Sequence, residues 1–371
     1  MALTFGDDYP IHQTPDPIAF AGTDRNFYDR YFFNGYADAG DEARAGLMFG
    51  AAFGVYPNLN IADASFVFVR DGVQTALHAS KWLNMERMDI SAGPIRIDIL
   101  EPLRVLKLTV DAPEQGVKAE IIFTGRSPPI EEPRFTRRMG PRAFMDYTRL
   151  TQNGRYTGWV ELDGKRESID GFVGTRDRSW GVRPVGTRDP QATVPPAPMQ
   201  FFWLWSPCNF EEGAFFFHTN DDETGQPWNR RAVWAPDGRP AMEFDHGVTS
   251  EVVWRKGTRH ASSAVVKIET PRGPLSIRFE PEQTFFMVGL GYGHPVWGHG
   301  MAHGPVTVER EDMKLADADV RMPHLLHIQA LSKVIYTASD GTQEVGRGVL
   351  EQLVLGPHAP SGFKEMLDFA P

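Results

Sequence analysis

The sequence predicts an all-β protein made of many short antiparallel strands, and two observations lead to this prediction. Of the 371 residues, 36 are glycine, 29 are proline and 12% are aromatic, a mixture typical of strands separated by frequent turns. Apolar and polar residues also alternate in segments such as "SFVFVRDG" and "SAVVKIETPRGPLSIRFEP", which is the period of a strand with one buried face.

Strand-like segments occur in both halves of the chain. Those of the first half include "IRIDILEPLRVLKLTVDAP", "VKAEIIFTG" and "TGWVELDGKRESIDGFVGTRDRSWG". Those of the second half include "MQFFWLWSPCNFEEGAFFFHTND", "SEVVWRKG", "HIQALSKVIYTASDG" and "GRGVLEQLVLG", with "APDGR" and "ASDGT" as hairpin turns. Helices are predicted only for the short segments "DEARAGLMFGAAFG" and "SGFKEMLDFA".

A domain boundary is predicted in the proline-rich segment "PVGTRDPQATVPPAPM", residues 184–199. It divides the chain into residues 1–190 and 191–371. Each part is large enough for an antiparallel barrel or sandwich that removes its edge strands by closure. A single continuous sandwich is the alternative.

The composition narrows the range of functions. With 48 acidic and 38 basic residues, the net charge is -10, which argues against binding to nucleic acid or to an anionic membrane. We therefore expect a neutral, small or apolar ligand. The N-terminus lacks the features of a signal peptide and no apolar run approaches 18 residues, so we expect a soluble, cytoplasmic protein. The single cysteine, Cys208, excludes an intrachain disulfide and suits a buried filler better than a nucleophile.

The segment "GTRDRSWGVRP" places Asp177 between Arg176 and Arg178. In a strand the carboxylate faces one side and the two arginines the other. Asp177 would then be a proton donor if burial raised its pKa, with the arginines holding the strand from outside. The alternative is an Asp–Arg network that clamps a turn, with Trp180 as a plug of the core.

Aromatic strands and a glycine-rich loop supply further candidates. Trp203 and Trp205 share one face of "MQFFWLWSP", where they would line a ligand cavity or pack as a central strand. His218 ends an apolar strand, and Glu351 is a carboxylate in the apolar strand "GVLEQLVLG". Such a carboxylate needs a partner, a proton or contact with solvent.

The loop "GLGYGHPVWGHGMAHG" carries Tyr292, His294, Trp297, His299 and His303. A three-histidine metal site is one interpretation, but no strand or helix period places the three histidines on one face. We therefore expect no metal. A binding loop that presents Tyr, His and Trp side chains fits better, and a surface hairpin is the alternative.

Several of these segments together resemble a known group of proteins. "FYDRYFFNGY", "GVYPN", "RDRSWGVRP", "FFWLW", "GYGHPVWGHG" and "GVLEQL" resemble the lipocalin-like AttH and carotenoid 1,2-hydratase (hydroxyneurosporene synthase) superfamily. The most specific element is Asp-x-x-Trp-Gly-x-Arg, here Asp177, Trp180, Gly181 and Arg183. Where many relatives carry His after the motif Asp, this sequence has Arg178, so the proton-shuttling role of that His does not carry over.

The resemblance implies two lipocalin-like (calycin-type) antiparallel β-barrel domains with few short helices, and a ligand pocket between or inside them. It also implies cofactor-independent chemistry such as hydration of an isoprenoid double bond, hydration of prenylated phenolics, or pericyclic cyclisation. The sequence has no Gly-x-Ser-x-Gly motif and no dinucleotide or phosphate-binding loop. We therefore expect no cofactor.

The resulting prediction is a hydratase, dehydratase or isomerase that acts by acid–base catalysis on an alkene-bearing hydrophobic molecule, such as a terpenoid, a steroid or a prenylated aromatic. The alternative is a non-catalytic carrier of such a molecule. The predicted catalytic residues are Asp177, His218, Tyr292 and His294. The predicted substrate-binding residues are Trp180, Trp203, Trp205, Trp297, Arg183 and Glu351. The oligomeric state is left open.

Overall fold

The computed structural model describes residues 3–12, 17–188 and 199–371 of the chain. These residues form two antiparallel sheets, of 14 and 9 strands. The helical segments among them are single 3₁₀ turns, and none reaches seven residues. The predicted all-β class is therefore confirmed. None of the helical segments described has the length and apolar character that a membrane crossing requires.

The chain separates into two compact units. The first comprises Met1–Ala37, Gly46–Ala197 and Val288–Lys314, and the second comprises Asp38–Ala45, Pro198–Met287 and Leu315–Pro371. The boundary predicted between residues 190 and 191 falls in residues 189–198, outside the described part of the chain, and it stays a prediction. The second half of the sequence nevertheless supplies one strand and a long loop to the first unit.

The first unit contains the 14-stranded sheet. Its strands are β1 (Phe27–Tyr36), β2 (Met48–Tyr56), β3 (Ile61–Arg70), β4 (Val73–Trp82), β5 (Ser91–Ala92), β6 (Ile95–Glu101), β7 (Val105–Ala112), β8 (Val117–Gly125), β9 (Ile130–Glu131), β10 (Phe135–Met139), β11 (Arg142–Leu162), β12 (Lys165–Ser168), β13 (Phe172–Val182) and β21 (Val306–Lys314). Eleven of them follow one another in the order β21-β4-β3-β2-β1-β13-β11-β8-β7-β6-β5 and form a nearly closed barrel.

The interior of this barrel is a packed apolar core. Rings from strands that are not neighbours in the sheet meet across it: Phe49 of β2 lies 4.9 Å from Tyr156 of β11, and Phe33 of β1 lies 6.5 Å from Phe123 of β8, measured between ring centroids. Alternation explains the arrangement, because β7 buries every second residue and turns those residues toward the core.

The second unit contains a nine-stranded half-barrel in the order β17-β16-β15-β14-β23-β22-β20-β19-β18. Its strands are β14 (Phe201–Asn209), β15 (Gly213–Asp221), β16 (Pro227–Pro236), β17 (Met242–Glu243), β18 (Val248–Trp254), β19 (Ala261–Ile268), β20 (Leu275–Phe286), β22 (Ile328–Thr337) and β23 (Gln343–Leu355). The 3₁₀ turns of the chain are Phe5–Asp8, Glu42–Arg44, Pro57–Leu59, Pro113–Gln115, Met287–Leu290, Leu315–Asp317, Pro323–Leu325 and Ala359–Ser361.

Both predicted helices are wrong. The second half of "DEARAGLMFGAAFG" belongs to β2, whose nine residues are all buried; a strand covered on both faces loses the alternation that identifies a strand. The tail "SGFKEMLDFA" is irregular. The guanidinium of Arg259 donates hydrogen bonds to the backbone carbonyls of Gly356 (3.0 Å), Glu365 (2.9 Å) and Asp368 (2.6 Å). These carbonyls are thereby satisfied without a helix.

Candidate active site

Strand β13 contains Arg176, Asp177 and Arg178, and the two arginines point inward. Arg176 and Arg178 are completely buried, and the guanidinium of Arg178 lies 4.0 Å from the ring centroid of Tyr31 in the barrel core. Arg176 forms an ion pair with Asp8, and Arg178 forms one of 2.5 Å with Asp29. The expectation that the arginines lie outside is wrong, because the two carboxylates supply the charge that lets them be buried.

Asp177 lies on the opposite face of β13, as the alternation predicts. Its Oδ2 is 3.5 Å from Nε of Arg149, whose Nη2 is 2.6 Å from Oε2 of Glu132. Thr151 donates a 2.5 Å hydrogen bond to the same glutamate. Asp177 thus belongs to an ion-pair network, which is the second interpretation of the motif. Its role as a proton donor stays a prediction.

Trp180 lies at one end of the barrel interior. Its ring stacks on His12 at 3.8 Å, and His12 in turn lies 3.1 Å from a carboxylate oxygen of Asp29. The two rings border an open depression of about 720 Å³, which Phe27 and Val182 also line. Trp180 therefore covers the end of the core and presents an edge to this depression.

Three strands place an arginine, a tyrosine and an aspartate together on the outer face of the barrel. Arg30 of β1 pairs with Gly54 of β2, and Gly54 pairs with Asp63 of β3. The phenol of Tyr56, two residues after Gly54, extends back over this glycine. A Cβ at position 54 would overlap the Tyr56 hydroxyl. Gly54 therefore leaves the space that Tyr56 occupies between the arginine and the aspartate.

These side chains form a short hydrogen-bonded chain. Nη2 of Arg30 donates to the Tyr56 hydroxyl at 3.2 Å, and that hydroxyl donates to Oδ1 of Asp63 at 3.1 Å. The backbone N–H of Gly300 donates to Oδ2 of Asp63 at 2.6 Å. The Asp63 side chain is 15% exposed. Nε and Nη1 of Arg30 have no hydrogen-bond partner in the described part of the chain, although Arg30 is only 1% exposed.

Burial changes the proton affinity of this group. It raises the pKa of Asp63 to about 6, and the Gly300 amide, the charge of Arg30 and the Tyr56 hydroxyl offset only part of the rise. Burial likewise raises the pKa of Tyr56, against the charge of Arg30. A carboxyl with a pKa near 6 exchanges protons in both directions near neutral pH.

Tyr292 and Arg183, both predicted site residues, belong to the same cluster. The Arg30 guanidinium lies 5.3 Å from the ring centroids of Tyr28 and Tyr292. Arg183 lies 5.3 Å from the Tyr28 ring and 5.7 Å from the Tyr292 ring. The structure therefore brings Tyr292 and Arg183 together around a residue, Arg30, that the sequence analysis did not select.

His299 borders the same cluster on the side of Asp63. Its Nδ1 is 3.9 Å from Oδ1 of Asp63, and its ring meets Tyr292 edge-on at 4.6 Å. The loop that carries Tyr292 and His299 also donates the Gly300 amide to Asp63. The glycine-rich loop is thus the element that closes the Asp63 site, as a binding loop would.

His294 lies beside a second titratable group, formed by His78 of β4 and Glu311 of β21. The ligand atoms of these three side chains are within 4.8 Å of one another. Nε2 of His294 is 3.0 Å from Oε2 of Glu311, and Nε2 of His78 is 3.7 Å from the same oxygen. The arrangement has the residue types of a metal site. It differs from the His294, His299 and His303 set considered from the sequence.

The hydrogen bonds of His294 do not suit a metal ligand. Its Nδ1 accepts the backbone N–H groups of Val296 (3.1 Å) and Trp297 (2.7 Å). The neutral ring therefore carries its proton on Nε2 and donates it to Glu311, so that a metal on Nε2 would require an imidazolate. The proximity of His78 and the hydrogen bond from His294 hold the pKa of Glu311 at about 2, against the effect of burial. The group is better described as an ionised glutamate held by two histidines.

Trp297 is fixed within this second group. Its ring stacks on His78 at 5.4 Å and on His303 at 4.0 Å, and its Nε1 donates to Oε2 of Glu309 at 2.9 Å. Trp297 is buried. It therefore joins the loop to β4 and β21, and its role in shaping a cavity stays a prediction.

The remaining predicted residues lie in the second unit. Glu351 accepts hydrogen bonds from Nε1 of Trp203 (3.1 Å), Nε2 of His327 (2.8 Å) and Nε2 of Gln329 (2.7 Å). Burial raises the pKa of Glu351, but the interactions with His327, Gln329 and Trp203 outweigh it and leave the pKa below the ordinary value. The carboxylate is therefore ionised and paired, with histidine as its main partner.

Two further predicted residues share this face of the second unit. Trp205 pairs with His218 across β14 and β15, and both side chains are buried. Nε2 of His218 lies 3.0 Å from Oδ1 of Asn229, and the His218 ring is 5.8 Å from the Trp203 ring. The predicted catalytic set is thus divided, with His218 in the second unit and Asp177, Tyr292 and His294 in the first.

The sequence analysis missed five residues of these groups, namely Arg30, Tyr56, Asp63, His78 and Glu311. A signal was present for Asp63, since it is the only charged residue in "NIADASFVFV" and a lone carboxylate in an apolar strand needs a partner. Arg30 follows Asp29 among the aromatic residues of "FYDRYFFNGY", so its charge gives a weaker signal. What joins them is strand register, which a single segment does not reveal.

Comparisons with known proteins place this architecture. The profile of a family described as a family of unknown function (DUF8625) matches residues 3–364. No curated protein matches the sequence. Among solved structures the chain is similar to a candidate AttH from Nitrosomonas europaea, with 13% identity, a TM-score of 0.53, and coverage of 95% of this chain and 97% of that chain.

Two further structures are similar. One is CghA, solved with Sch210972 (12% identity, TM-score 0.51, 94% of this chain and 96% of that chain). The other is kievitone hydratase from Nectria haematococca (11% identity, TM-score 0.45, 88% of each chain). At such low identity the similarity concerns the fold. The AttH and CghA structures show that this chain shares their fold, as the resemblance to AttH implied.

Proposed function

This chain belongs to that family of unknown function, and from this premise we propose that it is an enzyme for acid–base chemistry on a hydrophobic small molecule. The reaction class is the addition or removal of water at a double bond, or the movement of a double bond. The proton-transferring group is Asp63. The sequence analysis gave the role of proton donor to Asp177. We now assign it to Asp63, which lies on the same face of the barrel.

One observation carries the proposal, namely the burial of the Asp63 carboxyl against the Tyr56 hydroxyl and the Gly300 amide, which raises its pKa. A solvated aspartate is ionised at neutral pH and is a poor acid and a weak base. Burial beside Tyr56 brings the Asp63 pKa to about 6, so both protonation states are populated near neutrality. General acid–base catalysis is most efficient under this condition. Asp177, by contrast, is paired with the Arg149 guanidinium at 3.5 Å.

Asp63 and the residues around it have separate roles in the proposed reaction. Asp63 accepts a proton from one carbon of the substrate and returns it to another, which moves a double bond without a change of mass. In a dehydration the same proton leaves with the hydroxyl group as water. The Tyr56 hydroxyl and the Gly300 amide keep the carboxyl oriented, and the ring of Tyr292 offers an apolar contact. His218, His294 and Asp177 remain predicted participants.

A carrier of hydrophobic molecules is the second candidate. The depression beside Trp180 favours it, because this depression is bordered by Phe27 and Val182 as well and apolar walls are what a carrier needs. On this interpretation a ligand binds and leaves unchanged.

Both candidates are tested by one experiment. The protein is incubated in D₂O with a panel of unsaturated terpenoids, steroids and prenylated phenols, and ligands are analysed by native and product mass spectrometry. With the wild type we expect the gain of one D₂O molecule, the loss of one water molecule, or the incorporation of carbon-bound deuterium, and we expect this change to be lost in Asp63→Asn. Asp71→Asn is the matched control, since Asp71 is 82% exposed and has a positive φ that asparagine tolerates.

Three outcomes separate the candidates. Equal turnover by wild type and Asp63→Asn would refute the assignment of Asp63. Loss of turnover in Asp177→Asn alone would return the role to Asp177. Binding of a panel member that is recovered without deuterium or mass change would favour the carrier.

A further inference from the structure

We infer that Arg30 binds an anionic oxygen of the ligand, so that the molecule taken by the Asp63 site is an enol, a phenol or an unsaturated carbonyl compound. This inference rests on the proposed function and specifies its substrate class. It concerns the oxygen that receives negative charge during proton transfer, whereas the proposed function concerns the proton itself.

Arg30 has N–H donors that no acceptor among the described residues uses. A guanidinium offers five N–H groups, and Arg30 uses Nη2 for the Tyr56 hydroxyl. Nε and Nη1 have no hydrogen-bond partner in the part of the chain that the structure describes. Leaving such donors buried is costly, and a ligand oxygen that accepts from Nε and Nη1 would remove the cost. Guanidinium groups bind oxyanions with this pair of donors.

The second argument comes from the other buried arginines of the same barrel. Arg176, Arg178 and Arg149 each have a carboxylate oxygen within 3.5 Å. Arg30 has none within 4.0 Å among the described residues, and its surroundings are the rings of Tyr28 and Tyr292 and the Tyr56 hydroxyl. Arg87 is also buried without a carboxylate within 4.0 Å among the described residues, but its Nη1 and Nη2 donate to the backbone carbonyls of Ile18 and His12. Arg30 differs from it because both Nε and Nη1 have no acceptor among the described residues. A bound anion supplies the missing charge.

The third argument concerns the intermediate. A buried guanidinium repels a developing carbocation and stabilises a developing oxyanion. In the reaction that this favours, the Asp63 carboxylate removes a proton from a carbon adjacent to a carbonyl group. The C–H electron pair forms a new C=C bond, and the carbonyl π pair moves to oxygen, which Nε and Nη1 of Arg30 hold. Asp63 then returns the proton to a different carbon, or to a departing hydroxyl group.

The loop that carries Tyr292 lies over Arg30, so a ligand of Arg30 meets this loop. Tyr292 is partly exposed and its ring lies over the guanidinium. The glycines on either side of it have positive φ angles, 89° at Gly291 and 68° at Gly293, which side chains other than glycine rarely adopt. A planar ligand that reaches Arg30 therefore packs against the Tyr292 ring or displaces it.

The inference is tested by binding without turnover. The probes are 4-nitrophenol, whose ionisation is visible by absorbance, and its methyl ether 4-nitroanisole, which has the same shape and no acidic proton. We expect the wild type to bind the phenolate at least tenfold more tightly than the ether and to lower the apparent pKa of bound nitrophenol. Arg30→Met should lose this preference and keep its affinity for the ether. Arg30→Lys should retain part of the preference.

The matched control is Arg155→Met, which removes an exposed arginine of β11 and should leave both affinities unchanged. Equal binding of phenolate and ether by the wild type would overturn the inference, as would an unchanged preference in Arg30→Met. The first of these comparisons needs no variant, so it stands even if Arg30→Met does not fold.

The same probes separate this inference from the proposed function. Asp63→Asn should bind the phenolate at least as well as the wild type, since it removes a neighbouring negative charge. Arg30-dependent phenolate binding without any deuterium exchange would refute the catalytic proposal alone. Deuterium exchange that depends on Asp63 but is unaffected in Arg30→Met would refute the oxyanion site alone.

Discussion

Replacing Asp63 by asparagine should stabilise the folded protein at pH 8, although it removes a buried hydrogen-bonded carboxylate. The reason is the direction of the pKa shift. The folded state binds the Asp63 proton more tightly than the unfolded chain does, because burial raises the pKa from 3.8 to about 6. The free energy of unfolding of the wild type therefore falls as pH rises from 3.8 to about 6, and it is level above about pH 7.

The shift sets the magnitude of the effect. A rise from 3.8 to about 6 corresponds to about 3 kcal/mol. About 1.4 kcal/mol of it is expressed between pH 5 and pH 8. Asparagine offers one acceptor oxygen where aspartate offers two, so it cannot accept from both Tyr56 and Gly300. The lost hydrogen bond costs about 1 kcal/mol, which leaves a net stabilisation of about 2 kcal/mol at pH 8.

Urea denaturation of wild type and Asp63→Asn at several pH values between 5 and 8 measures this difference directly. The diagnostic quantity is the pH dependence of the difference between the two proteins, because contributions from all other groups cancel. Asp71→Asn should show no such dependence, since Asp71 is exposed. A difference between wild type and Asp63→Asn that is constant over this range would mean that the Asp63 pKa is not raised. The acid–base proposal would then lose its basis.

Three further predictions concern the surroundings. Gly54→Ala should displace the Tyr56 phenol, cost about 1–3 kcal/mol of stability and reduce turnover at least tenfold, measured by urea denaturation and product analysis. Asp29→Asn should cost about 3–5 kcal/mol in urea denaturation, because it leaves Arg178 buried without its carboxylate. Glu351→Gln should cost about 1–3 kcal/mol at pH 7. In urea denaturation that cost should shrink below about pH 4.5, because the unfolded wild-type carboxyl takes up a proton there before the folded one does.

The sequence predicts the fold class because several strands, such as β7, β8 and β19, bury a single face. The alternation of β7 and β8 is visible in the sequence and in the burial of their residues. It fails for β2, where all nine residues are buried. A strand covered on both faces has no alternation left, and its small residues Ala51 and Ala52 favour a helix by propensity.

The sequence also predicts that Asp177 and its flanking arginines face opposite sides, but not which side is the interior. Both faces of β13 are buried at this point. The deciding partners, Asp8 and Asp29, are 168 and 149 residues away from the arginines that they bind. In the same way, the Asp63 site depends on the register of β1, β2 and β3, which no single segment contains.

The packing of the barrel interior is the reason why we propose a site on the outer face of the first unit. The side chains of β2, β8 and β11 meet across the interior of the first unit, and Arg176 and Arg178 are neutralised there by carboxylates. The described interior is therefore close-packed, and its two arginines are each paired with a carboxylate. The outer face has a guanidinium at Arg30 whose Nε and Nη1 have no acceptor within the described part of the chain, and a carboxyl of raised pKa at Asp63. Unsatisfied guanidinium donors and a raised carboxyl pKa coincide on this face, and for this reason we assign the proposed chemistry to the outer face and not to the barrel interior.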